Sequence, residues 1–327
     1  MHGIELTPEH PVAEIVEHAE RAEAEGFDAI FAASHYFNRD PFVTLDRIAA
    51  ATEEIAVGPA AANPYDTHPV TLASRMATLQ EVSDGRAVFG VGPGDKSTLS
   101  SLGVEQERPL RRVLESFKVA QDLWAGERVS IDGTFETTDA GLEYDVEGEI
   151  PVYVGAQGPH MLRMSAKHAD GVLVNASHPD DFAWASDRIA EGLEERPDDR
   201  GEFDVAAYAS VSVAEDAEAA REIARQPVAF IAAGAAPPVL DRHGLDADAA
   251  AEIGAAIERG EFGAAFEAVT PEMIDALAVA GTPDDVAERI EEILAYADSF
   301  VAGTPLGPDL EEAITLVAAA LDRATRG

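Results

Sequence analysis

The chain has no cysteine among its 327 residues, which excludes disulfides, thiolate metal sites and cysteine nucleophiles. Aromatic residues are scarce at 6%, against 46% hydrophobic overall, so a core must be assembled mainly from Ala, Val, Ile and Leu. Lysine is confined to Lys96, Lys118 and Lys167. The longest mostly apolar run, Val228 to Leu240, is too short to span a bilayer and contains Pro237-Pro238. The first residues show no cationic segment followed by an apolar one, so a cytoplasmic protein is expected. Gly-x-Ser-x-Gly, His-x-His and His-Glu-x-x-His are absent, which argues against an acyl-enzyme nucleophile and leaves no metal site expected.

Negative charge, by contrast, is abundant. Asp and Glu number 62 against 23 Lys and Arg, a formal net charge of -39. Self-repulsion of that size destabilises a compact chain in dilute buffer, whereas molar salt shortens the Debye length to about 3 Å and screens it. The acids are spread over several stretches (Glu14 to Glu25, Glu215 to Glu222, Glu288 to Glu292) instead of forming one tail. Adaptation to a salt-rich, archaeon-like (halophilic) cytoplasm is therefore expected over docking to a basic partner. Nucleic acid and anionic membranes are poor partners for such a surface.

Short apolar runs alternate with amphipathic helical patterns along the chain. Strands are predicted at 2–6, 27–33, 55–58, 86–90, 152–154, 171–174, 203–213 and 299–302, most followed by Gly or Pro and then a helix. Residues 126–148 alternate polar and apolar residues as a hairpin insertion would, and 227–280 read as a helical insertion without a strand. Eight strands in this alternation predict an α/β protein, a single-domain (β/α)8 TIM barrel over residues 1–327.

In such a barrel the site forms at the C-terminal ends of the strands. The candidate rim is Glu5, Ser34-His35, Pro59 to Asn63, Gly92 to Ser97, Gly155 to Gly158 and Asn175 to Ser177. Gly90-Val-Gly-Pro-Gly-Asp-Lys96 places three glycines after a strand, leaving backbone open to close approach by a ligand. Gly155-Ala-Gln-Gly-Pro159 begins a helix and suits an anionic group at its amides, although a plain strand-to-helix turn reads the same way. Glu5, between Ile4 and Leu6, is the candidate general acid, and Asp95 would share a proton with it if the two lie close. His35 and His68 are the better-placed histidines, while His10, His18, His168 and His243 are expected in solvent.

These segments in this order resemble the bacterial luciferase-like superfamily, and within it the coenzyme F420-dependent methylenetetrahydromethanopterin reductases. The resemblance runs from Gly3-Ile-Glu-Leu6 to Gly307-Pro-Asp309. Its most specific pieces are Asn63-Pro-Tyr-x-x-His-Pro69, Gly92-Pro-Gly-Asp-Lys96, Val154-Gly-Ala-Gln-Gly-Pro159, Asp170-Gly-Val-Leu-Val-Asn-Ala-Ser177 and Arg242-His-Gly244. It implies a luciferase-type barrel that binds coenzyme F420, with FMN as the alternative, and passes a hydride to the one-carbon unit of a reduced pterin. The implied cofactor residues are Ser34, His35, Pro59, Ala60, Ala61, Asn63, Gly92, Gly94, Asp95, Lys96, Ser97, Gly155, Ala156, Gln157, Gly158, Val174 and Asn175. It also implies a cis peptide at Ala60-Ala61, catalytic roles for Glu5 and Asp95, and a homo-oligomer, dimer or tetramer. Ala60 stands where the family has glycine, Ser34 where it has Asp, and the segment Gly103 to Arg112 is short. Methylene-tetrahydrofolate as substrate, an FMN monooxygenase and a non-catalytic flavin or deazaflavin carrier are the rival readings.

Overall fold

The structure, a computed structural model, describes the chain apart from Tyr36, Gly327 and the side chain of Ser97. Ser97, one of the expected cofactor residues, thus lies outside the described residues as far as its side chain is concerned.

Internal contacts group the chain into two compact units, Gly3–Leu173 with Asp187–Val205, and Met1–His2, Val174–Ser186 and everything from Ala206 onward. The first unit alternates β1 (His2–Leu6), α1 (Val12–Ala24), β2 (Ala29–Ala33), α2 (Pro41–Ala51), β3 (Ala56–Ala60), α3 (Pro69–Val82) and β4 (Phe89–Val91). It continues through α4 (Lys96–Ser101), α5 (Pro109–Trp124), the antiparallel hairpin β5 (Val129–Asp132) and β6 (Glu136–Ala140), β7 (Val152–Ala156), α6 (Pro159–His168) and β8 (Gly171–Asn175). Helix α7 (Pro179–Leu193) is shared between the units. The second unit holds β9 (Asp204–Val213), α8 (Ala217–Gly234), α9 (Pro237–His243), α10 (Ala247–Glu258), α11 (Phe262–Glu267) and α12 (Pro271–Leu277). It closes with β10 (Val279–Gly281), α13 (Pro283–Leu294), β11 (Ser299–Leu306) and α14 (Leu310–Arg326).

The main sheet runs in the order β3-β2-β1-β11-β9-β8-β7-β4, with β10 added to β9. Parallel bridges Val57–Ala87 and Ala62–Val91 bring β4 back to β3, so the eight expected strands form a nearly closed (β/α)8 barrel. Glycine makes that closure possible. A Cβ at Gly58 would lie 2.1 Å from the Val88 carbonyl oxygen, and one at Gly90 would lie 2.0 Å from that of Pro59. Without side chains there, the amides of Ala62 and Gly92 bond to the carbonyls of Gly90 and Ala62 at 2.9 and 3.0 Å.

One expectation is corrected. Residues 279–281 form a strand where the helical insertion was expected to contain none, paired in parallel with residues 211–213 at the end of β9. Three residues are too few to show a period, and only the length of β9 supplies the partner. The four helices before β10, together with α8, close around a core of their own that includes Val228, Ile253, Val269, Met273 and Ile274.

Candidate functional site

Glu5 sits near the end of β1, its side chain on the face opposite Ile4 and Leu6 because strand residues alternate. Parallel register aligns Glu5 with Phe31 and Phe31 with Gly58, so the carboxylate shares one layer with a ring and a bare backbone. The residue is 4% exposed, and the Thr7 hydroxyl donates to Oε1.

The loops after β3 and β4 come next. The Ala60–Ala61 peptide is cis, as the resemblance implied. Pro59 is buried, Ala60 and Ala61 half-buried and Asn63 2% exposed. Asn63 Oδ1 accepts from the amides of Tyr65 and Asp66 at 2.9 and 3.3 Å, tying the loop into a tight turn. Gly94 adopts φ +71°, and a Cβ there would come within 3.0 Å of Asn63 Nδ2. The β4 loop thus rests directly on the β3 loop.

Three strands meet at the mouth with nothing longer than a methyl group between them. A Cβ at Gly92 would stand 3.3 Å from Ala61 Cβ and 3.9 Å from Gly155 Cα, and one at Gly155 would stand 3.9 Å from Ala61 Cβ. Ala61, Gly92 and Gly155 form a bare floor of the kind a planar ring packs on. Beyond it, Ala156 is buried, Gln157 is exposed, and Gly158 begins α6 with Pro159 behind it and no side-chain cap. A Cβ at Gly158 would meet nothing within 4 Å, and a helix start without a side-chain cap is chemically suited to an anionic group.

Asp95 is exposed and caps α4, its Oδ1 accepting from Thr98 N at 2.7 Å and Thr98 Oγ1 at 2.8 Å. Lys96 is the exposed first residue of that helix. Ser34 and His35 line an open pocket of about 290 Å³ with Asn63, Asp66, Arg39 and Arg75. Partial burial pushes the Asp66 carboxyl up, against a Thr67 hydrogen bond and the nearby Arg75 charge. In the second unit, Val174 is buried and Asn175 exposed at the end of β8.

Sequence reasoning missed one polar cluster in the second unit. His243, expected in solvent, has a side chain only 4% exposed, with Nε2 3.0 Å from Asp181 Oδ2. Arg242 bonds the other Asp181 oxygen and lies over the Trp184 ring at 4.6 Å. Ligand atoms of His178, Asp180 and His243 come within 4.8 Å of one another, an approach that no short-range spacing announces. His243 Nε2 is held by Asp181, the Asp180 amide donates to His178 Nδ1 at 3.2 Å, and burial, with Arg289 second, lowers the His178 pKa. Asp181 thus ties α7 to α9 through both Arg242 and His243.

With a buried acid and a bare floor at the C-terminal ends of its strands, the chain is a (β/α)8 protein whose strand ends form the candidate site. The family model of luciferase-like monooxygenases matches residues 2–302. The 5,10-methylenetetrahydromethanopterin reductase of Methanolobus tindarius is 43% identical over 317 residues, covering 96% of this chain and 97% of the relative. The reductase of the same name from Archaeoglobus fulgidus is 43% identical over 321 residues, with 96% of each covered. The solved structure of the coenzyme F420-dependent tetrahydromethanopterin reductase from Methanopyrus kandleri superposes with a TM-score of 0.90 at 38% identity, over 97% of this chain and 96% of that one. The chain belongs to the luciferase-like family and, within it, groups with the 5,10-methylenetetrahydromethanopterin reductases.

Proposed function

We propose that this chain is an F420-dependent 5,10-methylenetetrahydromethanopterin reductase, an oxidoreductase that reduces the methylene group of the pterin substrate to methyl. The observation that carries this reading is the near-full-length identity of 43% to reductases of that name. The mouth fits the cofactor. Ala61, Gly92 and Gly155 offer the bare surface a deazaflavin ring needs, and the uncapped start of α6 at Gly158 suits its anionic tail.

When bound, reduced F420 would supply the hydride and leave as the oxidised coenzyme; the protein supplies orientation, exclusion of water and a proton. Opening the methylene bridge of the substrate requires protonation of the departing nitrogen. Glu5, buried and held through Oε1 by Thr7, is the proposed donor. Asp95 is the proposed second acid, its carboxylate held beside Lys96 by the cap it makes on α4, with Lys96 facing the acidic tail. Ser34, His35 and Asn63 border the pocket proposed to receive the remaining ring edge.

The proposed setting is a salt-rich cytoplasm, on the strength of the -39 net charge, and the proposed assembly is a homo-oligomer of single-barrel protomers. Among the described residues no helix is long and apolar enough to cross a membrane.

The test is F420 oxidation in molar salt with methylene-tetrahydromethanopterin and methylene-tetrahydrofolate side by side, and with reduced FMN in a separate arm. Turnover with the methanopterin substrate is expected; oxygen consumption with FMN and no deazaflavin turnover would overturn the reading. Glu5→Gln should retain F420 binding and lose at least about tenfold in turnover. Unchanged turnover removes Glu5 from the mechanism.

A further inference from the structure

The bare floor raises the question of what holds it, since Ala61 and Gly92 have almost no side chain with which to anchor their own loops. We propose that Gln106 and Arg112 are positioning residues that brace the β3 and β4 loops from outside, so that the cofactor floor exists before the cofactor binds. The proposal deepens the F420 reading and rests on it for the identity of the ligand.

Proline lies in both loops, at Pro64 and Pro93, and removes backbone donors that could have laddered them together. Their carbonyls then need donors from elsewhere. Gln106 Nε2 donates to Pro93 O and Gly94 O, each at 2.9 Å. Arg112 Nε donates to Pro64 O at 2.9 Å, while its Nη1 donates to Thr134 O at 3.1 Å in the turn between β5 and β6. The guanidinium carbon lies 4.7 Å from the Tyr65 ring centre and 4.2 Å from that of Phe135. Tyr65 in turn donates its hydroxyl to Glu107 O at 2.5 Å. The short segment from Gln106 to Arg112 thus grips one loop through a side-chain amide and the other through a stacked, forked cation, and ties both to the hairpin. A planar fork between two rings is a task lysine cannot perform.

The experiment measures F420 affinity by fluorescence titration in molar salt, steady-state kinetics, and hydrogen exchange of the cofactor-free protein, for Gln106→Ala, Gln106→Glu, Arg112→Ala and Arg112→Lys. Both Arg112 variants should raise the F420 Kd about tenfold, the loss of roughly one charged hydrogen bond, with kcat changed less than about threefold because the proton donor is untouched. Gln106→Glu should bind more weakly than Gln106→Ala, since a carboxylate would face two carbonyl oxygens. Amides of 65–66 and 92–98 should exchange faster in the variants without cofactor, while those of α1 stay as in the parent. Parent-like Kd and exchange in the Ala variants, or full affinity in Arg112→Lys, would overturn the proposal. Failure of the parent chain itself to bind F420 would refute the functional reading instead, and the exchange comparison would still decide whether these two residues brace the loops.

Discussion

The β3 and β4 loops and the helical segment from α8 to α12 are built on opposite plans. The loops meet each other through Gly, Ala and Pro, are turned from within by Asn63 and Asp95, and take further hydrogen bonds from long side chains of other elements. The helical segment holds itself together through an apolar core that includes Val228, Ile253 and Ile274. Its surplus apolar surface is Phe230, Phe262 and Phe266, stacked with ring centres 6.2 to 6.4 Å apart, Phe230 and Phe262 being exposed. A surface built of methyl groups and bare backbone has few side chains with which to fill its own interior, so part of its rigidity is imported. The helical segment packs locally.

Substitutions at neighbouring glycines should break this contrast most visibly. Gly90→Ala drives a Cβ to 2.0 Å from a backbone oxygen, which no rotamer relieves. The barrel closure should fail, with a stability loss of more than about 3 kcal/mol read from urea unfolding. Gly92→Ala meets nothing nearer than Ala61 Cβ at 3.3 Å, so the fold should lose less than about 1 kcal/mol. Its new methyl lies on the floor, and F420 affinity should fall at least about tenfold. Equal effects on fold and affinity at both positions would erase the distinction between closure and floor.

The second unit sharpens the comparison. Asp181→Ala leaves Arg242 and His243 largely buried without their carboxylate and should cost about 3 kcal/mol in urea unfolding, more than surface pairs such as Arg259–Glu261 contribute. The smallest effect is expected at His168, whose ordinary value of 6.5 is depressed to about 4 by burial and by Lys118, Lys167 and Arg200. Between those values the unfolded chain binds the extra proton, so this contribution is fully present above pH 6.5 and is lost as pH falls toward 4. Solvent reaches the ring and weakens the effect. His168→Gln should flatten the slope of stability between pH 7 and 5, and an unchanged slope would assign the pH dependence to other groups.

Much of the frame was legible because its signals are local. All eight barrel strands follow from short apolar runs, most of them closed by Gly or Pro, and the hairpin from alternation between Val129 and Phe135. Boundaries suffered where a local signal misled. Strand β11 continues through Thr304-Pro305 to Leu306, beyond the expected end at Ala302, across a proline that reads as a stop. Asp95, expected as an acid facing the chemistry, is in addition the cap of α4.

The sequence by itself determined which segments are strands, that bare residues follow several of them, that one carboxylate lies within β1 and that the chain is strongly acidic. Those properties come from hydrophobic period, turn chemistry and composition, which act over a few residues. Only the tertiary structure decided what holds the mouth and what lies buried elsewhere. Arg112 reaches Pro64 across 48 positions and His243 reaches Asp181 across 62. No local pattern encodes such pairs, because the donors find their acceptors only after barrel closure has set the path of the chain.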